Sequence, residues 1–238
     1  MALDIDAVKN QSLFYNWDRS RRDSLINVND FKNLEQVPLP YLEFSVFKNY
    51  KTTLYCNTLF GTNYCFEKKT KFNWEIMESA AESESKYSDS FQKYNRKFAE
   101  TSFSGRNWNI SFTPDIALND GPYFFSGLPG LILTAQSDDG EYVMKAVSIT
   151  TIQKNMSSGY IQIKPNIKEK KYIEFLKIFK ENPALFNINL TNEFNDHFIY
   201  QYSGNKDDHF QKTNSFIKKQ FQRYNNPINE DYPVFIVN

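Results

Sequence analysis

The sequence predicts an α+β fold in which a mainly antiparallel, curved β-sheet is covered by helices near the C-terminus. Short aromatic and β-branched runs, separated by Gly, Asn and Lys, dominate residues 12–164. Residues 168–225 instead carry apolar side chains at helical spacing. Strands that precede helices, without strand–helix–strand alternation, are typical of antiparallel sheets. Neither a Gly/Ser-rich linker nor an internal repeat divides the sequence, so we expect a single domain over residues 1–238.

The clearest expected pair of strands is a hairpin late in the strand-rich part. Leu131–Ala135 leads into the turn signal Ser137-Asp138-Asp139-Gly140, and 142–152 returns. Asp-Gly between two β-prone runs is a strong short-range hairpin signal. A second hairpin signal, Ser104-Gly105-Arg106, separates 93–103 from 107–113. Further strands are expected at 41–47, 52–56, 63–66, 71–77 and 160–164, and an exposed turn or loop is expected at 79–89.

Two amphipathic helices are expected after Pro165. Apolar residues recur at i, i+3, i+4 and i+7 from Tyr172 to Phe179, and Pro183 ends this helix near residue 182. The second helix is expected from about residue 208 to 224, with Phe210, Ile217, Phe221 and Tyr224 on one side. We expect both helices to cover the sheet rather than to anchor the chain in a membrane.

Composition excludes several classes of protein. The 28 Lys and Arg residues balance 28 Asp and Glu, which argues against a nucleic-acid-binding protein. Aromatic residues make up 17% of the chain, which excludes intrinsic disorder. No apolar run approaches the roughly 18 residues of a membrane-spanning helix. Asp4 and Asp6 stand where a signal peptide carries basic residues, so we expect either a cytoplasmic protein or an exported one whose leader has been removed.

Cys56 and Cys65 are the two cysteines, and the turn signal Gly61-Thr62-Asn63 lies between them. If Tyr55 and Phe66 lie on paired strands, the two sulfurs face each other across a hairpin. One alternative is then a disulfide, which stabilises by ~2–3 kcal/mol in the chain-entropy model and indicates an oxidising compartment. The other is a pair of half-buried free thiols. A zinc site is disfavoured because Cys-x-x-Cys spacing is absent.

Residue patterns that carry catalysis are weak in this sequence. His197 and His209 each follow acidic residues, but their spacing matches neither an i, i+4 helical pair nor a zinc-protease motif. The nucleophile elbow G-x-S-x-G and the phosphate-binding GK[ST] are absent. We therefore expect a protein that is not an enzyme and that uses no cofactor or metal. A hydrolase or metal-dependent enzyme using the two histidines is the least favoured alternative.

The most informative segment runs from Asp120 to Leu133 and reads D-G-P-Y-F-F-S-G-L-P-G-L-I-L. Gly121-Pro122 predicts one turn, and Pro129-Gly130 fits positions i+1 and i+2 of a type II turn. These turns bracket three consecutive aromatic residues. The segment is therefore either a loop that seals the core or the lip of a groove for an apolar ligand or partner. The residues of this candidate lip are Gly121, Pro122, Tyr123, Phe124, Phe125, Gly127, Leu128, Pro129, Gly130, Leu131 and Ile132.

The same segment closely resembles the signature of the GLPGLI family, also called the Porph_ging family, of exported bacterial proteins. Phe103-Ser104-Gly105-Arg106-Asn107-Trp108 is similar to the family's F-x-G-R-x-W step, and Phe112–Ile116 to the segment that leads into the signature. Asn10–Tyr15 resembles an early S-x-F-Y strand, and Asn225–Ile228 resembles the family's C-terminal ending. The resemblance covers nearly the whole chain, but family members usually begin with a leader and one more strand. The pairing of the first strand is thus an open question.

The resemblance implies a compartment and an architecture more than a mechanism. It implies export, with a periplasmic or outer-membrane-associated location, and export in turn favours the Cys56–Cys65 bridge. The hairpin after the signature is also similar to lipoprotein-carrier half-barrels, at the level of fold only. We expect a non-enzymatic envelope protein that binds an apolar ligand, a peptide or a membrane partner. The alternative is a structural or assembly factor for an outer-membrane TonB-dependent receptor, which family members often accompany.

Overall fold

The structure is a computed structural model that describes residues 1–37, 44–49, 51–59, 62–77, 91, 93–152, 164–181, 211–212, 214–215 and 218–219. Within these ranges the chain forms two five-stranded antiparallel sheets. The first sheet has strands in sequence order: β1 (Ala2–Asp6), β2 (Gln11–Tyr15), β3 (Phe44–Asn49), β4 (Thr53–Leu59) and β5 (Thr62–Glu67). Two helices, α1 (Trp17–Asn27) and α2 (Phe31–Leu34), connect β2 to β3.

The second sheet contains the other five strands, again with sequence neighbours side by side. Its members are β6 (Glu75–Met77), β7 (Lys97–Phe103), β8 (Arg106–Thr113), β9 (Leu131–Ser137) and β10 (Val143–Lys145). Helix α3 (Glu169–Glu181) follows and buries Tyr172, Leu176 and Phe179. Helical spacing from Tyr172 to Phe179 predicted this helix, which is described as far as Glu181; the expected end at 182 lies outside the described residues.

The core is formed by the inner faces of both sheets. Because successive side chains of a strand point to opposite faces of the sheet, apolar residues at opposed positions of neighbouring strands form a row across the inner face. In the first sheet Phe14, Val46, Tyr55 and Phe66 oppose one another across four strands. In the second sheet an equivalent row runs through Ile76, Ala99, Ile110, Ala135 and Met144. Buried members of both rows belong to one hydrophobic cluster, so the two sheets share a core.

The antiparallel, mostly β architecture confirms the coarse prediction, but the arrangement differs in one respect. The sequence predicts one continuous curved sheet, whereas the structure has two sheets that are not closed on each other. One continuous sheet and two separate sheets give the same alternation of apolar and polar residues. This alternation depends on which face of a strand is buried and not on which strands are hydrogen-bonded to each other. Residues 160–163 of the expected strand at 160–164 and most of the expected helix at 208–224 lie outside the described residues, as does the loop at 79–89.

Several strands are shorter than the sequence predicts. The strand expected at 71–77 starts only at Glu75, because the preceding Phe72 and Trp74 turn their rings onto Phe125 at 5.6 and 6.3 Å. The strand expected from 93 starts at Lys97, after a turn in which the N–H of Tyr94 donates to the carbonyl of Phe91. The returning strand of the late hairpin ends at Lys145 instead of 152.

Candidate functional site

The signature loop, residues 120–130, is closed at its base by backbone hydrogen bonds. The N–H of Gly127 donates to the carbonyl of Asn119 at 3.1 Å, and Asp120 forms an antiparallel bridge with Ser126. The N–H of Ile132 donates to the carbonyl of Asp120 at 2.9 Å, which ties this base to strand β9. The two ends of the loop therefore lie close together, and its tip carries the three consecutive aromatic rings.

These three rings fill the space between the two sheets. Tyr123, Phe124 and Phe125 are each 0% exposed. Their contacts reach both sheets: Phe44–Tyr123 at 5.5 Å and Tyr55–Phe124 at 5.8 Å on the first, and Phe103–Phe124 at 5.4 Å and Trp108–Phe125 at 4.9 Å on the second. Aromatic pairs at such distances are worth about 0.5–1.5 kcal/mol each beyond the area they bury. The loop thus joins the sheets through its side chains.

The tip of the loop adopts a turn that normally takes glycine. The N–H of Phe125 donates to the carbonyl of Pro122 at 3.1 Å, and Tyr123, at the second position of this turn, has a φ of 55°. A bulky residue in the left-handed region costs on the order of 1–3 kcal/mol and persists only when its surroundings hold it there. Here the surroundings are the rings of Phe44, Phe103 and Phe124, which all contact the Tyr123 ring.

Two glycines of the signature are required by close approach. A Cβ on Gly121 would lie 2.6 Å from the Cβ of Ile132, and a Cβ on Gly130 would overlap the carbonyl of Thr113. Gly130 has the positive φ that the sequence predicts, but the type II turn is wrong in detail. The N–H of Gly130 donates to the carbonyl of Leu128, and the N–H of Leu131 donates to Ile116 instead of closing the expected turn.

A buried lysine from the first sheet holds the base of the loop. Lys48, on β3, forms an ion pair with Asp120 at 2.5 Å, and its Nζ donates to the carbonyls of Gly121 at 2.6 Å and Phe125 at 3.1 Å. An ammonium group has three donors, so all three are used. Burial lowers the pKa of Lys48, and the charge of Asp120 opposes that shift. This group links the loop to a strand more than 70 residues earlier in the chain.

The remaining candidate residues divide between the core and the surface. Leu128 and Ile132 are buried with the three rings, whereas Leu131 packs with Phe91 and Leu133 in a second, smaller cluster. Pro122 is half-buried, and Gly127 and Pro129 are exposed. Because the aromatic side chains lie inside, they contribute no exposed surface to a lip. The burial matches the first of the two alternatives, a loop that seals the core.

The two cysteines form a disulfide, which confirms the bridge and removes the alternative of free thiols. Cys56 and Cys65 lie directly opposite each other on β4 and β5, one residue beyond the pair Tyr55 and Phe66. Their Cα atoms are 4.1 Å apart, as suits opposed residues of an antiparallel pair whose side chains lie close. Both cysteines are buried, with 8% and 9% of the residue exposed.

An apolar run with one charged residue, Lys145, begins at the edge of the second sheet. We call residues 143–152, from edge strand β10 onward, the β10 run. The N–H of Ala146 still donates to Leu133, after which the backbone leaves the sheet. Its large exposed side chains are Val143 at 51%, Val147 at 81%, Ile149 at 40% and Ile152 at 68%. Residues 146–152 contain no charged side chain.

Sequence reasoning missed Lys48 and Asp120 as a pair. A signal existed, because Phe44, Val46 and Lys48 alternate on one face of β3, and the inward position of a lysine requires a buried partner. The partner itself, on a loop far along the chain, could not be identified. His197 and His209 lie outside the described residues. In the part of the chain that is described, no three His, Cys, Asp or Glu side chains are grouped to hold a metal.

Searches for similar proteins give little to compare. No protein-family model matches the sequence, and no curated protein matches it either. The structure of PNGF-II in the C2 space group is similar to this chain, with 16% identity and a TM-score of 0.45. The match covers 70% of this chain but only 26% of PNGF-II, and it is too weak to assign a fold or a function. No helix among the described residues is long and apolar enough to cross a membrane.

Proposed function

We propose that this chain is an exported, non-enzymatic envelope protein of the GLPGLI type that binds an extended peptide or partner protein along the β10 run. The observation that carries the proposal is the exposure of Val143, on the edge strand β10, and of Val147 and Ile152 in the chain that follows it. An edge strand presents unpaired backbone groups, and an extended partner segment adds to such an edge by main-chain hydrogen bonds.

Lys145 is the single charged residue of the β10 run, and past it the run lacks the residues that usually protect an exposed edge. Natural edges are protected by charged side chains, by proline or by covering elements. Residues 146–152 contain neither a charge nor a proline, and they include the β-branched residues Val147, Ile149, Thr150, Thr151 and Ile152. A segment of this composition is costly to leave in water, which supports a role in binding. The buried rings of the signature loop favour a peptide or protein partner over a small apolar ligand.

The disulfide supports export, because disulfides persist in oxidising compartments and are rare in the cytosol. The resemblance to exported GLPGLI proteins supports a periplasmic or outer-membrane-associated location. An outer-membrane TonB-dependent receptor is the partner class that this resemblance favours. The alternative function is a structural or assembly factor for such a receptor, acting through the same exposed edge.

The experiment places a photo-crosslinking residue at Val147 in the full chain, expressed in a Gram-negative bacterium. The matched control places it at Glu100, which is exposed on β7 of the same sheet. We expect one discrete crosslinked envelope protein from Val147 and none from Glu100, and we expect Ile149→Asp to abolish the Val147 crosslink. Equal crosslinking at both positions, or none at Val147, would refute the proposal. Identification of the crosslinked protein by mass spectrometry decides whether it is a TonB-dependent receptor.

A further inference from the structure

The edge strand β5 is covered by an anchor at one of the bridged cysteines. The N–H of Cys65 donates to the side-chain oxygen of Asn166 at 2.9 Å. The carbonyl of Cys65 accepts from the N–H groups of Asn166 at 2.9 Å and Ile167 at 3.2 Å. The side-chain amide of Asn166 also donates to the carbonyl of Asn63 at 2.7 Å. Asn166 therefore occupies the place that a sixth strand would take at this edge.

The helix that follows this anchor rests on the same hairpin, β4 and β5. Asn57, next to Cys56, donates from its side-chain amide to the hydroxyl of Tyr172 at 2.9 Å. The other contacts are Tyr64–Phe175 at 4.9 Å, Phe66–Tyr172 at 5.0 Å and the ion pair Lys68–Glu169 at 2.9 Å. The segment of residues 164–181, which we call the docked segment, thus depends on where β5 lies relative to β4.

We propose that the Cys56–Cys65 disulfide is a redox-sensitive lock that keeps the docked segment on the first sheet. Among the described strands, β5 pairs with β4 alone, and the bridge joins directly opposed residues of that pair. A dithiol reductant breaks the S–S bond by supplying two electrons and two protons. Cys56 and Cys65 become thiols, and the reductant becomes a disulfide. Reduction thus frees Cys65 from Cys56, and Cys65 is the residue whose backbone N–H and carbonyl hold Asn166.

The expected size of the effect follows from the loop that the bridge closes. The two cysteines are nine residues apart. In the chain-entropy model, a disulfide that closes a loop of this length lowers the population of the open, separated state by about 100-fold. Reduction therefore raises the population of molecules in which β5 has separated from β4 by up to about this factor. Backbone amides that lose their partners in the separated state lose protection from hydrogen exchange by the same factor.

Hydrogen exchange of the full chain, followed by mass spectrometry with and without a dithiol, tests the lock. We expect amides of β5 and of the docked segment to exchange tens- to 100-fold faster after reduction. Amides of β8 (Arg106–Thr113) serve as the internal control and should be unchanged. Unchanged exchange in the docked segment, an equal increase in β8, or a bridge that resists the dithiol in the native protein would each overturn the proposal.

Three variants separate the lock from a general loss of stability. The double variant Cys56→Ser/Cys65→Ser should show fast exchange in the docked segment and no response to dithiol. Asn166→Ala should release the docked segment in the oxidised protein, because the anchor is lost while the bridge remains. Asn109→Ala is the matched control, since Asn109 lies on β8 of the second sheet and its amide donates to Asp138 in the turn after β9. If Asn166→Ala leaves the docked segment as protected as Asn109→Ala does, the anchor is refuted.

Discussion

Replacing Lys48 by Met tests the central contact of the signature loop. The variant keeps the length of the side chain but removes the ammonium, and it leaves Asp120 and the carbonyls of Gly121 and Phe125 without this donor. Removing one partner of a buried ion pair costs about 3–5 kcal/mol. The Asp120 side chain is 17% exposed, so water offsets part of this cost and we expect about 3 kcal/mol. That loss is a large fraction of the 5–15 kcal/mol typical of a folded domain.

Urea unfolding at neutral pH, followed by tryptophan fluorescence, measures this loss. With a slope of about 3 kcal/mol per molar urea, a loss of 3 kcal/mol lowers the midpoint by about 1 M. Asp120→Asn is the matched variant, because it removes the charge but keeps an oxygen that can accept from Lys48. The double variant should cost less than the sum of the two single variants, with a coupling energy of about 0.5–3 kcal/mol. A urea midpoint for Lys48→Met within about 0.3 M of that of the original protein corresponds to a loss of less than about 1 kcal/mol. That result would refute a structural role for this lysine.

Three further substitutions, one of them with a comparison at Gly140, test the loop and the helix. Phe124→Ala should cost about 3–5 kcal/mol in the same urea assay if the ring fills the core, and a cost below about 1 kcal/mol would indicate a surface lip. Gly121→Ala should cost at least about 2 kcal/mol through overpacking, whereas Gly140→Ala, at a φ of 72° with open space around it, should cost about 1 kcal/mol. Burial raises the pKa of Tyr172 above its usual 10.0, although the hydrogen bond from Asn57 lowers it. Because the pKa of Tyr172 is higher in the folded protein than in the unfolded chain, Tyr172 contributes fully to the free energy of unfolding below pH 10. Above pH 10 that contribution falls by about 1.4 kcal/mol per pH unit. Tyr172→Phe should show a smaller alkaline slope than the original protein in urea titrations between pH 9 and 11, since Tyr142, whose pKa burial also raises, still contributes. An unchanged slope would contradict the assignment.

Local features were predictable wherever a chain segment carries its own signal. The Asp-Gly turn predicted the hairpin of β9 and β10, and Ser104-Gly105 predicted the turn between β7 and β8, where both residues have positive φ. Helix α3 followed from the spacing of its buried residues. The opposition of Cys56 and Cys65 followed from the pairing of Tyr55 with Phe66.

Features set by distant contacts or by exposed elements could not be predicted in the same way. Helix α1 buries no residue, so it has no apolar stripe, and its local signal is the Asn16 side chain that accepts from the N–H of Arg19. Strand β1, absent from the expected strands, alternates acidic and apolar residues and pairs with β2 through Leu3 and Phe14. The division into two sheets depends on which strands share hydrogen bonds, and residue alternation does not encode this choice.

The position of the signature loop between the sheets has a consequence for biosynthesis. A growing polypeptide presents the inner faces of β3 and β4 long before the rings that cover them are translated, since Lys48 precedes its acceptors by 73 and 77 residues. During that interval Phe44 and Tyr55 lack the contacts that Tyr123 and Phe124 later supply. Exposed strands of this kind are prone to aggregate, so we expect the nascent chain to require a chaperone until the loop has emerged from the ribosome.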